Sequence, residues 1–514
     1  MELQSLHPDL VSQLAAEGVD LERMLRFLDD FNAGKFGSSA PAGPYVIPAM
    51  PDPAIVDRCV PATLTMSLAD ARERFDELGL ALSPESIGAT EAAAGGEVIL
   101  DEAALRAVGI RLYPKTAFGV LNGGAATSYA DVKKNRSLAG EHFESYRSRF
   151  ESLAGSCGGL PKGVTPAFIN PDGTGGDSFL LLKLRMLLLH RLAWGELTGG
   201  DPSTALPAFQ MTSVHTDAAI ASALDEYSDH PWIAPLARRA GMDGSAMLTG
   251  CQSMMAAITH SSEGMPRRLF DRAWGRENAG LAMPGGHGQN FEVLAPIYRG
   301  LLARGVRYAW LGNIDNMGFT VDPVSLALFA LSGRSAAFEE SFRTPMDVKG
   351  GILVRDSAGR FTCADIGPAI SADEMFAFER AGNRVLFNCG VGLFDLERLV
   401  PLLDELPYRL PLRVTDQDKD AGLYAQAEQI TWEVIGLLDD PLFFAVDKKR
   451  RFLAAKMLME TLMTSLPPGA PGGSAPADAD ADIGAVSADL HAGLVSLLEG
   501  EYALRRVGAR WCPR

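Results

Sequence analysis

Apolar positions recur at helical spacing near the start of the chain. Leu10, Leu14, Leu21, Met24, Leu25 and Leu28 predict a helical stretch over residues 3–33. Gly34 to Pro53 interrupts the pattern with Gly, Pro and Ser and reads as a connector. Ser67, with Asp70 and Glu73 behind it, opens another helix through Leu78. Gly88 to Gly96 reads as a small-residue loop.

From about residue 100 the rhythm changes, and short apolar runs alternate with helical stretches. Thr116 to Leu121 (TAFGVL) predicts a strand running into a glycine turn. Ser178 to Arg191 predicts a buried helix, Ala208 to Met211 a short strand, Phe291 to Arg304 a helix and Val306 to Leu311 a strand. Such alternation predicts an α/β domain on a mostly parallel sheet, with ligands gathered beyond the carboxyl ends of the strands. Residues 405–465 read as strand and helix with clustered charges. Pro467 to Asp482 is a low-complexity linker, and Ala485 to Arg506 carries a helical pattern through Leu490, Leu494, Leu497 and Leu498. The expected division is a helical region over 1–100, a main α/β domain over 101–400, a small region over 401–465, a flexible linker over 466–484 and a terminal helix over 485–514.

Composition narrows the function. With 514 residues, 47% apolar and 22% charged, the chain can bury a sizeable core. A net charge of −17 argues against a nucleic-acid partner, and the basic run Lys448 to Arg451 is too short to reverse that. An acidic protein that handles an acidic ligand must gather cations locally, which favours a small phosphorylated substrate with metal help. The six cysteines are scattered, form no CxxC pair and read as free thiols in a reducing compartment. The N-terminus does not read as a secretory signal, and Leu180 to Leu189 is too short and too charged to span a membrane. The expectation is a soluble, cytoplasmic protein with no membrane or nucleic-acid partner.

Five segments carry candidate chemistry. In Leu121-Asn-Gly-Gly-Ala-Ala-Thr-Ser-Tyr-Ala130, Gly123 and Gly124 let backbone approach a phosphate or base, and Thr127 and Ser128 add hydroxyls; a plain strand-to-helix turn is the alternative. Pro161-Lys-Gly163 sets Lys162 either inward or on a surface loop. Pro284-Gly-Gly-His-Gly288 surrounds one histidine with glycines, a setting in which Gly286 and Gly288 offer bare backbone to a flat ring; His287 reads as neither base nor metal ligand. Gln252 and Gln289 can read a uracil edge, and loop polarity explains them equally. Asn313-Ile-Asp-Asn-Met-Gly318 follows a strand, so Asp315 can hold Mg²⁺ between phosphate oxygens, a reading that Gly318 and Asp322 strengthen; an Asx-turn is the alternative. Asp347-Val-Lys-Gly-Gly351 places Lys349 to meet a phosphate while Gly350 and Gly351 admit a sugar.

In order and spacing these segments resemble the UDP-sugar pyrophosphorylase family, UTP–glucose-1-phosphate uridylyltransferases and UDP-N-acetylglucosamine pyrophosphorylases among them. The counterparts are Leu121 to Thr127 for the LxGGxGT turn, Lys162, Met211 to Ser213, Gly286 to Gly288, Asn313 to Gly318 and Asp347 to Gly351. Phe387-Asn388 resembles the family's FNxN strand, and Val446 to Phe452 with Lys456 its VPRxRFxPxK segment. The likeness runs from about Leu121 to Lys456.

The resemblance implies an α/β, Rossmann-like nucleotidyltransferase fold of GT-A type, a mixed sheet flanked by helices with a small C-terminal region. It makes residues 101–400 the catalytic domain. It implies Mg²⁺ as cofactor and UTP and a sugar 1-phosphate, glucose 1-phosphate first, as substrates. Lys162 and Lys349 become the catalytic cations and Asp315 the metal ligand. Leu121, Gly123, Gly124, Thr127, Gln252, Gly286, His287, Gly288, Asn313, Gly350, Gly351, Asn388 and Glu433 become substrate-binding residues, with Glu433 as acceptor of a sugar hydroxyl. The sequence departs from the family at Ala126 and Ala130, where glycines are usual, and at Gln289. The late Asn-Pro-Lys has no clear counterpart, with Arg413 or Lys419 as substitutes. Two other readings compete: a glycosyltransferase of the same sheet type, and a nucleotide-sugar binding protein without turnover, which Ala126 motivates.

Overall fold

The computed structural model describes residues 3–37, 44–91, 96–126, 129–140, 142–344, 347, 350–467 and 481–514. Ten strands among them build one sheet. They are β1 (Ile55–Asp57), β2 (Thr116–Leu121), β3 (Ala208–Ser213), β4 (Leu248–Gln252), β5 (Tyr308–Asn313), β6 (Ala336–Phe342), β7 (Gly351–Arg355), β8 (Phe361–Asp365), β9 (Leu386–Asp395) and β10 (Leu442–Val446). Their order is β1-β10-β6-β9-β5-β2-β3-β4, with β7 pairing β9 and β8 pairing β7. The pairs β5–β2, β2–β3 and β3–β4 are parallel, and β9 runs antiparallel to both β5 and β6. The sheet is therefore mixed, where alternation alone suggested a mostly parallel one.

Alternating side chains divide the core. Phe118, Val120 and Trp310 pack on one face, and Ala117, Leu121, Phe209, Ala309 and Leu311 on the other. Every residue of β2 and β3 is buried, as expected of strands covered on both faces. On the first face lies the helix Phe179–Thr198, opened by Ser178, whose Oγ accepts from Leu181 N at 3.2 Å, and closed by Gly199 in the left-handed region at φ 72°. The helix Glu102–Arg111 presses Gly109 against the first residue of the helix Pro323–Ser332; a methyl there would stand 2.8 Å from Pro323 Cα. Gly109→Ala should therefore destabilise the protein by about 2 kcal/mol despite alanine's better helix propensity, read as a lower denaturation midpoint.

Three segments depart from their sequence reading. Residues 1–100 supply the expected helices Pro8–Ala16, Leu21–Asn32 and Leu68–Glu77, but also β1 and a three-stranded sheet of Leu64–Ser67, Glu97–Leu100 and Ala89–Glu91. The expected helix Phe291–Arg304 is two, Asn290–Val293 and Ala295–Ala303, because Pro296 has no N–H to donate and begins a new first turn. The terminal helix, Ala481–Gly500, stops short of Arg506 and is followed by a hairpin of Leu504–Val507 and Arg510–Pro513. Most of the expected linker, residues 468–480, lies outside the described residues.

Candidate active site

Register explains why distant segments meet. Asn313 pairs with Leu121, Leu121 with Met211, and Ser213 with Gln252. Four parallel strands thus end within two residues of one another, and their following loops share one edge. Ser213 Oγ donates to Gly123 O at 2.9 Å, and Ile314 N to Leu121 O at 3.3 Å, tying those loops together.

The glycine turn fixes Lys162. Lys162 N donates to Gly124 O at 2.9 Å, and Ala125 bridges to Pro161. The side chain is buried, with Nζ 3.9 Å from the centre of the Tyr129 ring and donating to Ala455 O. No carboxylate among the described residues forms an ion pair with it. Burial pulls its pKa down to about 8, against the attraction of Asp315 and Glu460 and with Lys456 adding repulsion. Of the two sequence readings of this lysine, the inward one describes the structure. Lys133, Lys134 and Arg136 are exposed. Thr127 and Ser128 lie outside the described residues.

Asp315 stands beside this cation on the turn that follows β5. Its backbone oxygen accepts from Ala455 N at 3.3 Å, and its half-exposed carboxylate makes no hydrogen bond or ion pair among the described residues. The Asx-turn exists but belongs to Asn316, whose Oδ1 accepts from Gly318 N at 3.0 Å. Asp322, read with the metal turn, instead caps the helix Pro323–Ser332, accepting from Val324 N at 2.9 Å, and faces Arg58 at 3.5 Å. Its carboxylate is occupied by the fold. No group of three His, Cys, Asp or Glu side chains poised for a metal occurs among the described residues.

The Gly285–Gly288 turn leans on the backbone of Gln429. A methyl on Gly288 would stand 2.6 Å from Gln429 C, and Gly286 takes φ 80°, so bare backbone is required at both. Gln252 Nε2 donates to Gly286 O and Gln289 Oε1, each at 2.9 Å, which links the end of β4 to this turn. His287 Nδ1 accepts from Thr431 N at 3.2 Å, and burial, with Lys456 and Arg413 nearby, holds its pKa at about 4. A neutral, hydrogen-bonded imidazole fits a structural role.

The third side is built from β7, β8 and β9. Gly350, at φ 133°, packs on the Phe387 ring, and Gly351 lies against Cys363. Asn388 Nδ2 donates to Glu340 Oε1 at 3.2 Å, and its Oδ1 accepts from Gly390 N at 2.6 Å. Gly390 approaches Asn313 Nδ2 and the Trp432 indole, which joins this side to the end of β5. Glu433 Oε1 accepts from Arg413 Nε at 3.0 Å and Nη2 at 2.8 Å, while its buried Oε2 has no partner among the described residues. Arg413 also binds Asp365 at 2.7 Å, so its charge is committed; Lys419 is exposed on a hairpin end. Arg413 is therefore not free to replace the family's late lysine. Lys456, named in the sequence only through its segment, is exposed and in electrostatic reach of both Lys162 and His287. Its signal was the basic-aromatic run before it. Lys349 lies outside the described residues.

Ala126 does not face this edge as an obstacle. It is buried in a cluster with Tyr129, Phe143, Phe150 and Leu458. Ala126→Gly should cost about 1 kcal/mol of stability through lost methyl burial and added chain entropy, and turnover should change little; thermal melting and initial rates check this.

The sequence profile of the family described as UTP–glucose-1-phosphate uridylyltransferase matches residues 200–466. A Schizosaccharomyces pombe protein described as "Probable UTP–glucose-1-phosphate uridylyltransferase" is 29% identical over 207 residues, 38% of this chain. The matched stretch spans 35% of that relative's length. Among solved structures, a Trypanosoma brucei uridine diphosphate N-acetylglucosamine pyrophosphorylase in complex with inhibitor aligns with TM-score 0.56 at 16% identity, covering 95% of this chain and 79% of that one. A mutant Leishmania major UDP-glucose pyrophosphorylase aligns with TM-score 0.53 at 16% identity, covering 91% and 80%. At such identities the likeness concerns the fold.

Proposed function

The chain belongs to the UTP–glucose-1-phosphate uridylyltransferase family, and from that premise we propose that it joins UTP and a sugar 1-phosphate into a UDP-sugar with release of pyrophosphate. The observation that carries this reading is Lys162: a buried ammonium with no ion-pair partner among the described residues, beside Asp315, at the carboxyl ends of parallel strands.

The uracil meets the Gly286 to Gly288 turn on the side away from Gln429, with Gln252 Oε1, which makes no hydrogen bond among the described residues, to meet its edge. The phosphates pass over Gly123 and Gly124. An oxygen of the sugar 1-phosphate attacks the α-phosphorus in line, the bond to the bridging β-oxygen breaks and its electron pair leaves with pyrophosphate. The attacking phosphate is already ionised, so no general base is required, and catalysis is positioning plus charge neutralisation. Lys162 supplies a fixed cation whose burial strengthens its field. Lys349 and Lys456 are further cations for the sugar phosphate and pyrophosphate. Asn388 and Glu433 lie on the side where the sugar would sit, and Glu433 Oε2, buried and without a hydrogen bond among the described residues, is the oxygen that would accept a sugar hydroxyl once the loop opens to it.

Asp315 is the residue that would hold Mg²⁺. Its carboxylate is half-exposed and makes no hydrogen bond or ion pair among the described residues, and magnesium asks for only one or two protein carboxylates when phosphates and waters complete its shell. When bound, that ion supplies neutralisation of phosphate charge.

Glucose 1-phosphate is the first candidate sugar, with galactose 1-phosphate and N-acetylglucosamine 1-phosphate as alternatives. No helix of the described residues is long and apolar enough to cross a membrane, and we assign the protein to the cytoplasm on its scattered thiols. The test is ³¹P NMR of the protein with UTP, Mg²⁺ and each sugar phosphate in turn. The reading expects pyrophosphate and a UDP-sugar in equal amounts; no reaction with UTP but release of UDP from an added UDP-sugar would point to a glycosyltransferase, and no turnover with either to a binding protein.

A further inference from the structure

Directly beneath the Asp315 turn lies a second buried lysine that the proposed chemistry does not use. Lys183, on the helix Phe179–Thr198, is 1% exposed. Its Nζ donates to Asn316 O at 2.7 Å, Phe319 O at 2.5 Å and Tyr502 Oη at 3.2 Å. Tyr502 Oη in turn donates to Met317 O at 2.7 Å. Three backbone oxygens of the turn are thereby drawn into the core, while Asp315 is left half-exposed.

No carboxylate among the described residues forms an ion pair with Lys183, and burial pushes its pKa well down while Asp315 and Glu501 attract it. A buried cation is costly, and apolar packing generally serves stability as well or better. A role in fixing the carbonyls explains why it is there.

The same helix reaches the other charged group. Phe179, one turn before Lys183, places its ring 5.8 Å from Lys162 Nζ. Arg185 then locks the C-terminal chain in place, donating from Nε to Tyr502 O at 2.7 Å and from Nη2 to Ala503 O at 3.2 Å. Lys183 and Tyr502 both lie outside the matched residues 200–466.

We propose that Lys183 and Tyr502 are positioning residues for the metal-bearing turn, so that the C-terminal segment completes the site from below. This rests on the reading that Asp315 holds the divalent cation. Residues that orient a metal ligand commonly set affinity by about 10- to 100-fold.

The test uses the full chain and Mn²⁺ as probe, followed by electron paramagnetic resonance in the presence of UTP. Lys183→Met should weaken Mn²⁺ binding about tenfold, and Tyr502→Phe should weaken it in the same direction by less. Metal-free UTP binding, read by calorimetry, should be unchanged in both. Tyr502→Phe keeps the ring in its packing and decides the matter if Lys183→Met fails to fold. Wild-type Mn²⁺ affinity in a folded variant, or an equal loss of Mn²⁺ and metal-free UTP binding, would overturn the proposal, as would a wild-type protein that binds no Mn²⁺. Wild-type Mn²⁺ binding with the expected losses but no pyrophosphate release would leave this inference standing and remove the proposed activity.

Discussion

Replacing Lys162 with methionine lowers kcat by about 10²- to 10³-fold, the scale of one lost preorganised donor to developing charge. UTP affinity falls much less, because glycine backbone and the uracil turn are untouched. The protein does not lose stability, since the variant removes a buried charge with no ion-pair partner among the described residues. The pH dependence carries the same signature. Lys162 has its pKa lowered to about 8 in the fold. In the free enzyme the ammonium is thus lost above that pH, and kcat/KM falls with it. The stability effect has the opposite sign. The folded pKa lies below the unfolded one, so charged Lys162 destabilises the native state below about pH 8, and that penalty is relieved as pH rises toward the unfolded value. Denaturant melts of wild type and K162M from pH 7 to above 10 should converge at the alkaline end. A kcat/KM profile that stays flat past pH 9, or a variant with full activity, would remove Lys162 from the chemistry.

Asp315→Asn is the second large effect. The substitution keeps volume and, among the described residues, breaks no hydrogen bond or ion pair of the side chain. It removes the single carboxylate proposed for Mg²⁺, and losing several kcal/mol of charge stabilisation lowers turnover by about 10²-fold or more. The Mg²⁺ concentration for half-maximal rate rises, while the melting temperature falls only modestly, through the lost attraction to Lys162 and Lys183. Steady-state kinetics over a magnesium series measures both; an unchanged magnesium requirement would contradict the assignment.

What could be read from the sequence follows from how local each feature is. TAFGVL and the apolar helix after Ser178 declare themselves, since their own composition decides burial. The glycine and aspartate turns were placed at strand ends, and register brings them to one edge, where the Lys162 backbone joins them through Gly124. Partnership was not legible. Nothing in Leu386–Asp395 states that it enters the sheet antiparallel between β5 and β6, because strand periodicity encodes faces and not neighbours. Asp322 looked like a metal neighbour and is a helix cap, a distinction made by the residues that follow it in space. Arg413 looked like a spare cation and is held by two carboxylates from separate strands and turns. The leucine pattern after Ala485 overran the helix end because apolar spacing continues past Gly500, whereas the turn at Gly508, φ 60°, folds the tail back. Lys183 read as a break in an apolar run, and its partners at Asn316 and Phe319 lie 133 and 136 residues away.

The most direct measurement is a crystal structure of the protein with UDP-glucose and Mg²⁺. The uracil should rest on Gly286 to Gly288, the diphosphate should pass Gly123 and Lys162 with the metal on Asp315, and the hexose should reach Asn388 and Glu433. A nucleotide seated elsewhere, such as the cavity of about 350 Å³ lined by Arg23, Phe27 and Tyr408, would contradict the account.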